Sequence, residues 1–233
     1  MLRDVLSGNL DLVGFLLRFI TLSLVVLICL PVHELAHGYA AYKLGDPTAK
    51  WNGRLRFNPL AHLDVVGAVM IFVLGIGYAK PVPINPRNFT KTSRKVGTVI
   101  TAAAGPFSNL LVAFLSALVI GAVYKFAPHT DLWVTVVQAF AVLIQINVML
   151  AVFNLIPIPP LDGSRIAAGV LPDRIYFKFF QYDRIIRNAL MGFMLLAMIL
   201  RRFNIDLFFP IHWVENYITN GFIDLAFLIF GVK

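Results

Sequence analysis

The chain has 233 residues, of which 59% are hydrophobic and 14% charged, and its formal net charge is +8. Soluble domains are about half apolar and a quarter charged, so this composition excludes an ordinary soluble globular protein. The positive charge does not indicate a nucleic-acid partner, because the basic residues lie in short segments between apolar runs, as in cytoplasm-facing loops. We therefore expect an all-α, multi-pass membrane protein in contact with a lipid bilayer.

The first apolar segment covers residues 12–44 and is interrupted only by Pro31. Its opening stretch, from Leu12 to Cys29, has a single charge, Arg18, over about the 20 residues that a spanning helix needs. The stretch is too long for a signal peptide, and no small-residue cleavage site follows it. Cys29 is the only cysteine, so no disulfide can form within the chain. This segment is predicted to be the first transmembrane helix.

A second apolar stretch, residues 65–79, is short for a spanning helix. Basic residues flank it on both sides, so both of its ends are expected on the same side of the membrane. This favours a re-entrant or interfacial segment, which membranes tolerate only where protein or water covers the backbone. The proline-rich stretch 80–86 that follows cannot be helical. Two roles for it stay open, an extended edge for a substrate strand or a rigid connector.

Two longer apolar segments, residues 96–126 and 132–155, predict spanning helices. The link between them has no Lys or Arg and is expected on the opposite side from the basic loops. The apolar segments 185–200 and 217–232 are both marginal in length. The fold class is thus an all-α bundle of about five to six transmembrane helices with a re-entrant or β-like membrane-associated segment. We expect one transmembrane domain over 1–233, with its core motifs within about 12–168 and C-terminal membrane segments at 169–233.

The clearest chemical motif is His33-Glu34-Leu35-Ala36-His37. On a helix the two imidazoles, four residues apart, project from one face and can share a metal ion. The carboxylate of Glu34 follows the first ligand directly and can reach a water on that metal. The alternative, two core histidines and a buried glutamate, is costly in lipid because an unpaired carboxylate at membrane depth is expensive. The motif predicts a metal site.

A catalytic zinc needs a third protein ligand and an open position for water. The candidates here are aspartates and His62, and Asp162 is favoured because it follows a segment stiffened by three prolines, 157, 159 and 160. By local pattern Asp162 is equally well placed to cap a helix starting near Gly163. His62 lies in a turn-rich stretch and is either a surface or capping residue or an oxyanion donor that supports the site.

Two motifs taken together identify a family resemblance. His33-Glu34-x-x-His37 and Asn154-x-x-Pro157-x-Pro159-x-Leu161-Asp162-Gly163 resemble the site-2 protease family of intramembrane metalloproteases, in a compact form without PDZ or CBS domains. Gly105-Pro106-x-x-Asn109 also resembles that family's core, and the likeness covers about residues 12–168. It implies one Zn²⁺ per chain, held by His33, His37 and Asp162, with Glu34 as general base and acid. It also makes Asn154 the first candidate oxyanion donor; helix capping or interhelical hydrogen bonding is the alternative role.

The implied activity is that of an intramembrane zinc endopeptidase, which hydrolyses peptide bonds in or near transmembrane helices of other membrane proteins in regulated proteolysis. The alternatives are a metal transporter and a catalytically silent membrane binding module. A transporter would carry ionisable residues along several spans, and a silent module would be expected to lack Glu34 or a ligand. The compact form suits a prokaryotic cell membrane, and the charge bias predicts the active site towards the cytoplasm and the N-terminus outside.

Overall fold

A computed structural model of the chain describes residues 19–74, 77–128, 130–172 and 182–232. All regular structure within these ranges is helical, so the all-α prediction is confirmed and the described residues contain no strand. The chain divides into two compact units, Met1–Ser93 and Arg94–Lys233. The sequence-based prediction of a single domain over 1–233 stays a prediction.

The first unit begins, within the described residues, with helix α1, Phe19–Lys43. A π-helical turn, Val25–Cys29, lies in its middle, where the backbone N–H of Leu30 donates to the carbonyl oxygen of Val25. Pro31 follows and has no N–H for an ordinary helical hydrogen bond. The widened turn accommodates this loss, so Pro31 does not end the helix. Residues 12–18 of the predicted first segment lie outside the described ranges.

The remaining elements of the first unit are short: α2 is Thr48–Trp51, α3 is Pro59–His62, α4 is Val65–Leu74, and a 3₁₀ turn covers Pro86–Asn88. Helix α4 has ten residues and is about 15 Å long, half of the hydrocarbon thickness. After α4 the chain returns to the end of α3, where the backbone N–H of Lys80 donates to the carbonyl of His62 at 2.9 Å. The return is close, because a Cβ added at Gly67 would lie 2.0 Å from the carbonyl oxygen of Tyr78. We call the segment that this hydrogen bond closes the hairpin 62–80, and its residues 75–76 lie outside the described ranges.

The second unit is built on two long antiparallel helices, α5 (Arg94–Phe126) and α6 (Asp131–Asn154). It continues with α7 (Asp162–Val170), α8 (Asp183–Leu200), a 3₁₀ turn (Arg201–Phe203) and α9 (Phe209–Phe230). Its core contains Ala113, Ala117 and Ile120 of α5, packed with Ile144 and Val148 of α6 and Ala226 of α9. Small side chains let helix backbones approach closely, which stabilises helix pairs in lipid.

Within the part of the chain that the structure describes, three helices are long and apolar enough to cross a membrane: α1, α5 and α6. These match three of the predicted spans. The predicted segment 185–200 forms α8, whereas α9 begins at Phe209, eight residues before the predicted apolar stretch at 217. The polar residues before 217 join the helix because α9 packs along α5 and α6. The chain is a membrane protein, and any further crossing stays a prediction.

Candidate metal centre

The two histidines of the sequence motif lie in the second half of α1. His33 and His37 are both buried, and their Nε2 atoms lie 3.0 Å apart. Their rings meet edge to face, with centroids 4.6 Å apart. The predicted shared face is therefore present, because one helical turn separates the two residues and both rings turn their Nε2 atoms to the same point.

This pair fits zinc. Two nitrogen ligands at the usual Zn–N distance in a tetrahedral site lie about 3.3 Å from each other. The observed Nε2 separation of 3.0 Å is close to that value, so the two rings need only a small adjustment to share one ion. Imidazole nitrogens are common zinc ligands, and burial of both rings limits their competition with solvent. His33 and His37 are therefore a suitable half of a zinc site.

Glu34 lies between the two histidines and makes a defined contact. Its Oε2 accepts a hydrogen bond of 2.9 Å from the backbone N–H of Val82. Gly38, one turn further along the same face of α1, makes room for Val82: a Cβ at Gly38 would lie 3.0 Å from Val82 Cγ1. The carboxylate is thus held in a fixed direction by a residue almost fifty positions away in sequence.

We call residues 80–90 the strap, because side chains of the preceding loop fasten it to the end of α1. Arg54 is buried, and its Nη2 donates to the carbonyl oxygens of Lys80 (3.1 Å) and Pro81 (2.8 Å). Val82 itself is buried on α1. The strap therefore reaches Glu34 as an extended, anchored segment. Its carbonyls at 80 and 81 are already paired.

Asp46 fastens the other end of the strap. Its carboxylate is fully buried and accepts hydrogen bonds from the backbone N–H of Asn85 at 2.7 Å, from Asn88 Nδ2 at 2.9 Å, and from both the backbone N–H and the hydroxyl of Thr48. Burial alone would raise the pKa of Asp46, but these hydrogen bonds outweigh it and hold the pKa below its ordinary value. The preceding Gly45 adopts a φ of +106°, and a Cβ there would collide with Thr90.

His62 is buried, with 1% of its surface exposed, so the alternative of a surface residue is wrong. Its Nε2 lies 3.2 Å from the carbonyl oxygen of Arg56, which makes Nε2 the protonated nitrogen and leaves Nδ1 as an acceptor. The pKa of His62 lies below its ordinary value, mainly because burial disfavours the charged ring and also because of the nearby charge of Arg54. The Arg56 carbonyl and Glu34 oppose this shift. The neighbouring Asp64 accepts the backbone N–H of Gly67 at 2.9 Å in the first turn of α4. A role for His62 as an oxyanion donor stays a prediction.

The other predicted site residues belong to the second unit. Asp162 is the first residue of α7, and the N-cap is Leu161, with no side-chain cap. Asp162 therefore does not cap the helix, and its negative charge lies in the first turn, where the helix dipole favours it. Gly163 packs against the end of α6, since a Cβ there would lie 2.2 Å from the carbonyl oxygen of Leu155. The proline-rich turn is thus folded back on the C-terminus of α6.

Two asparagines of α6 are hydrogen-bonded to carbonyl groups of the same helix. Asn154 is the last residue of α6 and its Nδ2 donates to the carbonyl of Leu150 at 2.9 Å. Asn147 is fully buried and its Nδ2 donates to the carbonyl of Leu143 at 2.8 Å. Both make bonds within their own helix. The interhelical alternative for Asn154 finds no support among the bonds that the described residues show.

Sequence reasoning missed Asp46 and Arg54 as structural residues of this region. In the sequence Arg54 is one of the basic residues that precede the apolar stretch 65–79, and neither it nor Asp46 has a predicted role. A signal for Asp46 was present, since Asp followed two residues later by Thr is typical of a turn in which the carboxylate accepts local N–H groups. No comparable local signal identifies the partners of Arg54, which are 26 and 27 residues away.

Comparison with known proteins agrees with this chemistry. The model of peptidase family M50 matches residues 122–199. Relatives named putative zinc metalloprotease include YwhC of Bacillus subtilis, which is 42% identical over 170 residues, covering 72% of this chain and 76% of YwhC. Rip2 of Mycobacterium tuberculosis is 32% identical over 143 residues, covering 59% of this chain and 52% of Rip2.

A third relative of the same name, MJ0611 of Methanocaldococcus jannaschii, is 28% identical over 134 residues, covering 58% of this chain and 62% of MJ0611. No solved structure matches the chain. The identity to YwhC extends over most of both proteins. Together with the M50 match and the His-Glu-x-x-His helix, it shows that the chain belongs to the M50, or site-2 protease, family of zinc metalloproteases.

Proposed function

We propose that the chain is an intramembrane zinc endopeptidase that cleaves peptide bonds in or near the transmembrane helices of other membrane proteins. The observation that carries the proposal is the arrangement on α1: two buried imidazoles with converging Nε2 atoms, and Glu34 between them. This constellation lies in a helix long and apolar enough to span a membrane. A substrate that reaches it is therefore expected to be a membrane segment too.

One zinc ion per chain is proposed, with His33, His37 and Asp162 as its protein ligands. Asp162 is supported by its place after the proline-stiffened turn that Gly163 packs against α6, because a rigid turn suits a ligand delivered from another element. Zinc in such a site supplies a Lewis acid that polarises the scissile carbonyl and makes a water molecule acidic enough to react near neutral pH.

The residues of the chain would supply the proton transfers. Glu34 takes a proton from the attacking water and passes it to the leaving amine, so one carboxylate serves as base and then as acid. Asn154 has an amide nitrogen with two N–H groups, of which one donates to Leu150, and the second suits a developing oxyanion. His62, buried in the loop next to the strap, is the second candidate donor, and it would have to release its Nε2–H from the Arg56 carbonyl because its Nδ1 carries no proton.

The membrane arrangement is also proposed. The hairpin 62–80 starts and ends at one place and its helix is too short to cross, which supports a re-entrant segment. Helices α8 and α9, of 18 and 22 residues, would bring the crossings to five. The basic loops support an orientation with the proposed site towards the cytoplasm, in a prokaryotic cell membrane.

The test compares Glu34→Gln with the wild-type chain in cells. Membrane peptides whose new termini lie inside apolar segments are expected with the wild type and at least about a hundredfold less with the variant. Glu215→Gln is the matched control, because Glu215 is the only other glutamate in the sequence and also lies in a helix. Cleavage by Glu34→Gln at the wild-type rate would exclude the hydrolase and favour a transporter or a binding module.

Zinc content of the purified proteins tests the ligands separately. Glu34→Gln should keep its zinc, whereas His37→Ala and Asp162→Ala should lose it. Asp224→Ala changes an exposed aspartate of α9 and should behave as the wild type. Full zinc content in Asp162→Ala would remove Asp162 from the ligand set and leave the histidine pair to be completed by another residue.

A further inference from the structure

The strap contacts Glu34 through a single backbone group. In the stretch from Lys80 to Pro86, positions 81, 83 and 86 are proline and carry no N–H, so few donors are available there. One of them, the N–H of Val82, donates to Glu34 Oε2 at 2.9 Å. A carboxylate that accepts such a bond loses much of its rotational freedom, and its second oxygen then has a fixed direction.

Arg54 determines where that N–H lies. Its Nη2 donates to the carbonyls of Lys80 and Pro81, the two peptide groups directly before Val82. The carbonyl of Pro81 and the N–H of Val82 belong to the same peptide plane. Fixing the carbonyl oxygen from one side therefore orients the N–H towards the other side, where Glu34 lies.

The packing of α1 completes the alignment. Gly38 lies one turn after Glu34, and the side chain of Val82 occupies the space that a larger residue would fill. The Pro81–Val82 peptide is thus held at its carbonyl by Arg54 and at its N–H by Glu34, and the side chain of Val82 packs against Gly38. Arg54 is buried, so its hydrogen bonds to the strap are not weakened by competing water.

We propose that Arg54 is a positioning residue for Glu34: it orients the Pro81–Val82 peptide so that its N–H fixes the carboxylate in the direction that proton transfer needs. The proposal rests on the proposed role of Glu34 as general base. It assigns a function to a buried cation that the metal site itself does not require. Misplacing a catalytic group by about 1 Å can cost about a hundredfold in rate, so the expected effect is on turnover.

Hydrogen exchange of the full chain in detergent tests the contact, because the prolines leave few amides in this segment. Replacing Glu34 by Ala should speed exchange at Val82 by about tenfold or more. Exchange at Asn85, whose N–H donates to Asp46, should not change. Unchanged exchange at Val82 in Glu34→Ala would show that the contact does not form and would overturn the proposal.

Arg54→Met and Arg54→Lys test the positioning role. Arg54→Met keeps the length of the side chain and removes its donors, and should speed exchange at Val82 and lower kcat about 10- to 100-fold, with KM and zinc content unchanged. Arg54→Lys retains donors and should recover most of the activity. The matched control is Arg56→Met, an exposed arginine two residues away, with wild-type kcat. A loss of kcat in Arg54→Met that parallels a loss of zinc would overturn the proposal.

If Arg54→Met fails to accumulate, Gly38→Val tests the same link from the other side by displacing Val82. Wild-type kcat in Gly38→Val, with fast exchange at Val82, would also overturn the proposal. The proposed function fails by a different result, namely normal cleavage by Glu34→Gln. In that case the exchange data would still decide whether the strap orients Glu34.

Discussion

At the scale of single residues, charged side chains of the first unit are hydrogen-bonded to backbone groups, and two of them, Asp46 and Arg54, are buried. Asp46 accepts bonds from Asn85, Asn88 and Thr48, Arg54 donates to two carbonyls, and Glu34 accepts from Val82. An isolated buried charge is expensive, and each of these bonds compensates part of that cost. The same bonds join loop segments that are distant in sequence, so the charges also determine the shape of the loop beside the histidine pair.

Asp46 gives a pH-dependent prediction. Because its pKa is lowered in the folded protein, its carboxylate stabilises the strap above the unfolded pKa of about 3.9, and this contribution is lost as the pH falls through the lowered value. Asp46→Asn should therefore weaken exchange protection at Asn85 by about 1–3 kcal/mol at neutral pH and by almost nothing below the folded pKa. A difference that does not vary with pH would contradict this. Asp224→Asn, at an exposed position, serves as the control.

At the scale of elements, glycines decide where backbones approach. Gly163 lies against the carbonyls of Leu155 and Ile156. Gly121 lies against Ala226 and the ring of Phe230, where α9 packs on α5. In contrast, a Cβ at Gly192 or Gly221 would meet nothing within 4 Å. These four helical or turn glycines therefore fall into two groups, and close packing requires glycine only at Gly163 and Gly121.

This difference predicts opposite effects of one substitution. Gly163→Ala places its Cβ among backbone atoms that cannot move aside, and should cost about 1–3 kcal/mol by forcing the turn before α7 to open. Gly221→Ala, in the middle of α9, should be neutral or stabilise by up to about 1 kcal/mol, because alanine favours helix. Thermal unfolding in detergent measures both. Equal melting temperatures for Gly163→Ala and the wild type would show that the turn is not packed as described.

At the scale of the whole molecule, the positions of the charges relative to the long helices predict the topology. Helices α5 and α6 are about 50 and 36 Å long and can each cross the hydrocarbon layer. The link between them has no Lys or Arg, whereas the loops of the first unit are rich in both. Positive charge is retained in the cytoplasm, so these regions should face opposite sides.

Single-cysteine labelling tests this orientation. Cys29 is fully buried and should not react, so any labelling comes from the added cysteine. A membrane-impermeant maleimide applied to intact cells should label Thr130→Cys, in the exposed link, and should spare Asn52→Cys and Lys91→Cys until the cells are opened. Labelling of Asn52→Cys in intact cells would reverse the predicted orientation and place the proposed site outside the cytoplasm.

The sequence predicted the chemistry and the long helices because both depend on local periodicity. Apolar runs of sufficient length marked α1, α5 and α6, and the spacing of His33 and His37 brought their rings to one face of a helix. Residues 209–216 were not predicted to be helical, because their polar side chains interrupt the apolar pattern. In the structure, packing on α5 and α6 stabilises the helix over these residues.

Only the tertiary structure decided how the loops of the first unit meet. Hydrogen bonds from Asn88 to Asp46 and from Arg54 to Lys80 and Pro81 join residues up to 42 positions apart. His62 is buried in the same unit. Such contacts have no period in the sequence, because they depend on how the chain folds back through irregular turns. By itself the sequence determined which residues can hold a metal, whereas the fold decided that a backbone N–H from a distant strap contacts the carboxylate beside them.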